Sequence, residues 1–131
     1  MGGMNETEIP TAAKGIKGDR HTIGSLRAHT NNDQVHFHDD AGSLRFAYPG
    51  LRKFQLGMDN FLKHQQHNFA VGDVCVVRGD VVDSSRKAAD LVLTRTAEAW
   101  EISLAPAGET QEAYVIADPV MAALDDFVQR I

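Results

Sequence analysis

The stretch VHFHDDAGSLRFAY at residues 35–48 decides the fold, because apolar and polar side chains alternate on both sides of a turn. In its first half, Val35 and Phe37 fall on one face of a strand, and His36 and His38 fall on the other. The turn that follows, DDAGS, contains Gly42, which readily adopts a positive φ.

The second half of this stretch, LRFAY, repeats the alternation. Its side chains fall into an inward set and an outward set, namely Leu44, Phe46 and Tyr48 inward and Arg45 and Ala47 outward. Two alternating strands joined by a short glycine-containing turn predict a β-hairpin with one buried face.

Further elements are predicted on both sides of the hairpin. A strand is expected over residues 20–30, with Gly24 as a bend, and it ends at the turn NND of residues 31–33. Beyond the hairpin, apolar residues recur at helical spacing and predict one amphipathic helix over residues 51–67. A strand over residues 74–78 has a mostly continuous apolar run, which favours burial of both of its faces, and it resumes at residues 81–82 after an interruption by Gly79 and Asp80.

The last predicted strand, over residues 91–104, contains a conflict of phase. Leu91 and Leu93 occupy odd positions, whereas Trp100 occupies an even one. A regular strand cannot bury both sets on one face. A bulge or a break is therefore expected near residues 95–97.

Composition indicates one ordinary globular domain. The chain has 131 residues, of which 43% are hydrophobic and 24% are charged. A single cysteine, Cys75, excludes an internal disulfide framework and a multi-thiolate zinc site, and it fits a reducing cytoplasm. The sequence contains neither a secretory signal nor an apolar run of about 20 residues, so we expect a cytoplasmic protein that does not contact a membrane.

The net charge of −5 is unevenly distributed. Residues 14–100 carry twelve Lys and Arg against ten Asp and Glu, which makes this central segment slightly basic. Residues 101–131 carry six Asp and Glu against one Arg. A polyanionic partner is therefore expected only on the central segment.

The order strand, strand, strand, helix, strand, strand resembles the OB-fold, a five-stranded Greek-key barrel with its helix between strands 3 and 4. The segment VHFHDDAGSLRF at residues 35–46 is similar to the hairpin of strands 2 and 3 in such domains, and VGDVCVVRG at residues 71–79 is similar to the opening of strand 4. The resemblance covers about residues 20–104. It implies a mainly β protein with an OB-like barrel over residues 19–105. Residues 1–18 mix Gly, Pro, Thr and charge without apolar periodicity and predict a flexible arm, and residues 106–131 predict a linker with an added C-terminal helix.

OB-fold domains of this type bind single-stranded DNA or RNA across strands 2 and 3 and the neighbouring loops. The resemblance therefore implies a non-catalytic nucleic-acid-binding protein. Its contact residues would be cations and outward histidines, namely Arg27, His36, His38, Arg45, Arg78, Arg86, Lys87 and Arg95. Arg and Lys neutralise phosphates, and imidazole stacks on bases or hydrogen-bonds to them.

A metal site is one alternative. His36 and His38 lie on the same side of one strand, resemble the His-x-His of cupins, and can share a divalent ion with Asp39 or Asp40 and with His64 or His67. Outward histidines on strands are more often simply solvated, so the sequence assigns no metal ligand and no cofactor. No catalytic constellation accompanies them: Cys75 lies in an apolar strand, where a thiol is inert.

The final helix, which starts at the Asp118-Pro119 capping pattern, offers another alternative. Its apolar stripe must be covered either by the barrel or by another subunit. The region from Asp118 to Ile131 is also acidic on its outer side. The chain could therefore act through protein contacts, as a partner-binding module or an oligomer.

Overall fold

The structure is a computed structural model that describes residues 6–14, 20–83, 86–105 and 113–131. Within these ranges eight antiparallel strands follow one another around a closed barrel, and the first strand closes onto the last. The strands are β1 (Glu6–Lys14), β2 (Arg20–Asn31), β3 (Gln34–His38), β4 (Leu44–Tyr48), β5 (Val74–Asp83), β6 (Ala88–Arg95), β7 (Ala99–Ala105) and β8 (Ala113–Ala117).

Two helices complete the described fold. Helix α1 (Leu51–Asn60) continues without a break into a π-helical segment, Phe61–Gln65, and a 3₁₀ turn, Gln66–Asn68. A 3₁₀ turn at Asp118–Val120 leads into helix α2 (Met121–Arg130). Both predicted helices are thus confirmed. Among the described residues, neither helix combines the length and the apolarity that a membrane crossing needs.

The expected five-stranded OB-like Greek-key barrel is wrong. Every described strand pairs with its neighbours in sequence, so the barrel is of the up-and-down type. The strand predicted over residues 91–104 is two strands, because Thr96 ends β6 and turns the chain: its backbone N–H and its hydroxyl both bond to the carbonyl of Ala99, at 3.0 and 2.8 Å. The predicted break is confirmed, and Leu93 and Trp100 each face inward on their own strand.

The flexible arm expected over residues 1–18 is wrong for residues 6–14. These form β1, which pairs along its length with β2 and at its end with β8. Among the side chains of residues 6–12, which the structure describes, only Ile9 and Thr11 are buried, so backbone pairing, more than apolar content, holds the strand in place. The barrel therefore also extends beyond the expected boundary at residue 105, since β8 lies in the predicted linker.

The barrel is filled by side chains. Phe37 of β3 and Phe46 of β4 stack at a centroid distance of 4.3 Å, and Phe54 of α1 closes the barrel over them. The residual cavity among these residues is about 10 Å³, which is room for one water molecule at most. A ligand must therefore bind elsewhere.

Both helices close the same end of the barrel. The apolar stripe of α2 is buried there, through Met121, Leu124, Phe127 and Val128. Because neighbouring strands are antiparallel, β1, β3, β5 and β7 end at the opposite end of the barrel.

The expected burial of both faces of β5 is wrong. Val74 and Val76 point out of the barrel and are 52% and 44% exposed, whereas Val77 is buried. A continuous apolar run is also compatible with a barrel strand whose outer face is open to water. Periodicity alone therefore does not distinguish such a strand from one that is buried on both faces.

Candidate functional site

Three imidazole rings meet on the outer face of β2 and β3. His29 of β2 lies opposite His36 of β3, and His38 lies two residues further along β3. The ring centroids are 4.9 Å apart for His29 and His38, 5.5 Å for His29 and His36, and 5.9 Å for His36 and His38. We call these three residues the histidine cluster.

The turn between β2 and β3 creates this cluster. Asn31 pairs with Gln34, so two residues connect the strands, and Asn32 adopts a φ of 54°, which asparagine tolerates. This register places His29 directly opposite His36. His29 is absent from the predicted contact residues. The turn predicted over residues 31–33 is one residue too long, since it would pair His29 with Val35, whereas the observed two-residue turn pairs it with His36.

The surroundings favour neutral imidazoles. Burial is the largest cause that lowers the pKa of His36, and repulsion by His29 and His38 lowers it further. The pKa of His38 is lowered by burial and by His29, while Asp39 partly opposes this. Neutral imidazole is the form that accepts a proton or binds a metal.

These shifts predict a dependence of stability on pH. The pKa of His36 and of His38 is lower in the folded chain than the usual 6.5, so the unfolded chain binds more protons below that value. The resulting stabilisation of the folded chain is present above pH 6.5. It is lost as the pH falls through the lowered pKa values of the two histidines. We expect the free energy of unfolding to fall less between about pH 7 and pH 5 in a His36→Gln/His38→Gln variant than in the unmodified chain.

Urea denaturation at a series of pH values measures this difference. The carboxylates titrate in both proteins, so the comparison isolates the two histidines. Parallel pH profiles for the two proteins would contradict the prediction.

A shallow groove of about 350 Å³ borders the cluster on the side of the β3–β4 turn. Its charged and titratable lining residues are Glu6, Arg27, His29, His38, Asp39 and Asp40. Arg27 is 3.6 Å from the Glu8 carboxylate, so a carboxylate partly neutralises the one arginine of this lining. The local charge therefore favours a cation over an anion.

The carboxylates of the β3–β4 turn have structural roles. Asp39 accepts hydrogen bonds from the backbone N–H groups of Ala41 and Ser43, at 3.0 and 2.9 Å. Asp40 accepts from the backbone N–H and the hydroxyl of Ser25, both at 3.3 Å. These bonds hold both acids beside the cluster rather than directing them at its rings.

The alternation predicts that Arg45 joins His36 and His38 on the outer face, but the structure places Arg45 elsewhere. The pairing shifts between Phe37 and His38, so a bulge interrupts the phase of β4. The Arg45 Nε donates to the hydroxyl of Tyr114 at 3.2 Å, and its Nη1 lies 3.5 Å from Asp39. Arg45 therefore bridges β4 and β8 and is an element of the barrel structure.

The other predicted cations are dispersed. Arg95 lies at the helix-closed end, where Nη2 donates to Asp118 at 2.7 Å and Nη1 donates to the other carboxylate oxygen. Arg86 and Lys87 are exposed residues between β5 and β6, and the side chain of Arg78 lies outside the described residues. Of the predicted contact residues, the structure brings together Arg27, His36 and His38.

The resemblance to cupins is limited to the His-x-His spacing. His36 and His38 point away from the interior of an up-and-down barrel. In the described ranges, no three His, Cys, Asp or Glu side chains are already arranged to hold a metal ion. Metal binding by the histidine cluster therefore requires the rings to rotate from their present orientations.

The thiol of Cys75 is distant from this site in the sequence and has its own contact. Its Sγ lies 3.6 Å from the Gln65 side-chain oxygen, and burial raises its pKa. A raised pKa disfavours the nucleophilic thiolate.

Comparison with known proteins adds no assignment for any of these residues, because no protein-family model, no curated protein and no solved structure matches the chain.

Proposed function

We propose that the protein is a non-catalytic binding barrel that holds a divalent transition-metal ion on the histidine cluster. The observation that carries this proposal is the meeting of three imidazoles from two adjacent strands, with ring centroids 4.9 to 5.9 Å apart. The filled interior supports it indirectly, since recognition must then use the outer surface. A single free thiol fits a cytoplasmic protein, which we include in the proposal.

The spacing of the rings suits one shared ion. A zinc–nitrogen bond is about 2.0–2.1 Å long, so two imidazoles on one tetrahedral ion have their centres about 5 Å apart. The stacked rings of His29 and His38, inclined by only 12°, must turn their nitrogens toward a common point. All three residues are only partly buried, so such rotation costs about 1 kcal/mol per side chain.

The chemistry of the cluster selects the metal. Imidazole nitrogens suit Zn²⁺, Cu²⁺ and Ni²⁺, whereas Mg²⁺ and Ca²⁺ prefer oxygen ligands. The lowered pKa of His36 and of His38 keeps their lone pairs available near neutral pH. Nearby carboxylates, those of Glu8, Asp39 and Asp40, add attraction for a cation.

Calorimetric titration of the tag-free protein with Zn²⁺ and with Cu²⁺ tests the proposal. We expect Cu²⁺ to bind more tightly than Zn²⁺, as the usual affinity order requires. Replacing His36 with alanine is expected to weaken binding by about tenfold or more, or about 1.4 kcal/mol, because one imidazole ligand is lost.

The His64→Ala variant is the matched control. It removes the same side chain from an exposed position in the π-helical segment, away from β2 and β3. We expect its affinity to equal that of the unmodified chain. Equal losses in the two variants, or no saturable binding of either ion, would overturn the proposal.

Single-stranded nucleic acid remains a prediction for the same outer face. Arg27 and the imidazole rings support it, because guanidinium groups contact phosphates and rings stack on bases. The carboxylates that surround Arg27 oppose it, which is why we favour the metal ion. Titration with oligo(dT) and oligo(rU) at about 50 mM salt tests this prediction. A non-specific nucleic-acid-binding protein has a dissociation constant below about 100 μM under these conditions.

A further inference from the structure

A second cleft, far from the histidine cluster in the fold, lies at the helix-closed end of the barrel. Its volume is about 480 Å³, within the range of binding clefts in proteins. One wall is formed by the π-helical segment, the 3₁₀ turn after it and Phe69, and the other wall by Asp118 and α2. Arg95 and Trp100 form its floor.

The apolar part of the cleft is rigid. Trp100 meets Phe61 edge to face at a centroid distance of 4.8 Å and lies 5.5 Å from Phe69. Met121 of α2 is also buried beside the cleft. Because Trp100 is only 1% exposed, these side chains form a packed base beneath the cleft.

The charged part of the cleft is acidic. Asp118 and Asp125 lie seven residues apart on the same wall, with Met121 and Ala122 between them. Arg95 pairs with Asp118 and lowers the pKa of that carboxyl through hydrogen bonding. Asp125 lines the cleft, and its carboxylate accepts a long, 3.3 Å hydrogen bond from the neutral amide of Gln129.

Arg95 itself shows which group suits this environment. Its guanidinium carbon stands 5.3 Å from the centre of the Trp100 ring while the group bonds to both oxygens of Asp118. Stacking on an aromatic ring together with a bidentate carboxylate contact is the preferred setting for a guanidinium. The cleft therefore offers space and a second carboxylate, that of Asp125, for another cationic side chain.

We propose that this cleft docks a basic segment of a partner protein, with a Lys or Arg side chain of the partner paired to Asp125. Charge complementarity identifies the partner, because Asp125 lines the cleft and residues 118–131 carry three Asp against one Arg. The apolar stripe of α2 is covered by its own barrel, so the cleft and the acidic side of this helix are what it presents to a partner.

The fluorescence of Trp100, the one tryptophan of the chain, reports on the cleft. We expect a short peptide rich in Lys and Arg to change this fluorescence saturably, and a peptide with Glu at the same positions to leave it unchanged. The Asp125→Asn variant is expected to bind the basic peptide about threefold to fivefold more weakly, as an exposed ion pair allows.

Asp126→Asn is the matched control, since it removes the same charge from the neighbouring residue, which pairs with Arg130 and does not line the cleft. We expect its affinity to stay within experimental error of the unmodified chain. Equal weakening in both variants would mean that only the net charge matters and would overturn the proposal, as would unchanged Trp100 fluorescence. The His36→Ala variant should bind the peptide normally, so failure of the metal proposal leaves this test intact.

Discussion

Replacing Phe54 with alanine is expected to lower the free energy of unfolding by about 3–5 kcal/mol. Phe54 is 1% exposed and packs α1 against the barrel interior. Its ring meets Phe37, Tyr48 and Phe127 at centroid distances of 5.9, 5.3 and 6.5 Å. The closely packed surroundings cannot collapse into the space, so a cavity is added to the loss of buried apolar surface.

Urea denaturation measures this loss, with Leu56→Ala as the control on the same helix. Leu56 is 64% exposed, so its truncation is expected to change stability by no more than about 0.5 kcal/mol. Losses of similar size in the two variants would show that α1 does not close the barrel. A loss below about 1 kcal/mol for Phe54→Ala would contradict a filled interior.

Replacing Gly24 with alanine is expected to cost about 3 kcal/mol through two combined effects. Gly24 adopts a φ of +83°, where a side chain is strained by about 1–2 kcal/mol. A Cβ atom at this position would also lie 1.7 Å from a carboxylate oxygen of Asp40. The carboxylate must then move away from the backbone N–H and hydroxyl of Ser25, to which it is hydrogen-bonded.

Gly42→Ala separates the two effects. Gly42 has nearly the same φ, +84°, but a Cβ atom there would meet nothing within 4 Å. We expect this variant to lose only the strain of about 1–2 kcal/mol, and thermal or urea denaturation of both variants gives the comparison. Equal losses would contradict the role of Asp40 as a support between the β3–β4 turn and β2.

Local patterns predicted the elements with clear periodicity. The hairpin of residues 34–48, both helices and the break near residue 96 follow from alternation, helical spacing and turn residues. The closed barrel could not be predicted, because β1 buries only Ile9 and Thr11 among its described side chains, and β8 is a short apolar run inside a presumed linker. Pairing between strands at opposite ends of the chain leaves no signal in local periodicity.

The candidate site was predictable in part. Alternation identified His36 and His38 as outward residues, but the turn predicted over residues 31–33 is one residue too long to place His29 opposite His36. Arg45 could not be placed, since a single bulge redirects it to Tyr114 across the barrel. The pairing of Arg95 with Asp118 depends on the packing of α2, which no local pattern encodes.

NMR spectra of the imidazole groups during titration with Zn²⁺ test most directly whether the histidine cluster shares one metal ion. We predict that the resonances of His29, His36 and His38 shift together and saturate at one equivalent, while those of His64 and His67 stay unchanged. Unshifted resonances for the three clustered histidines, or shifts of equal size at His64 and His67, would contradict this prediction.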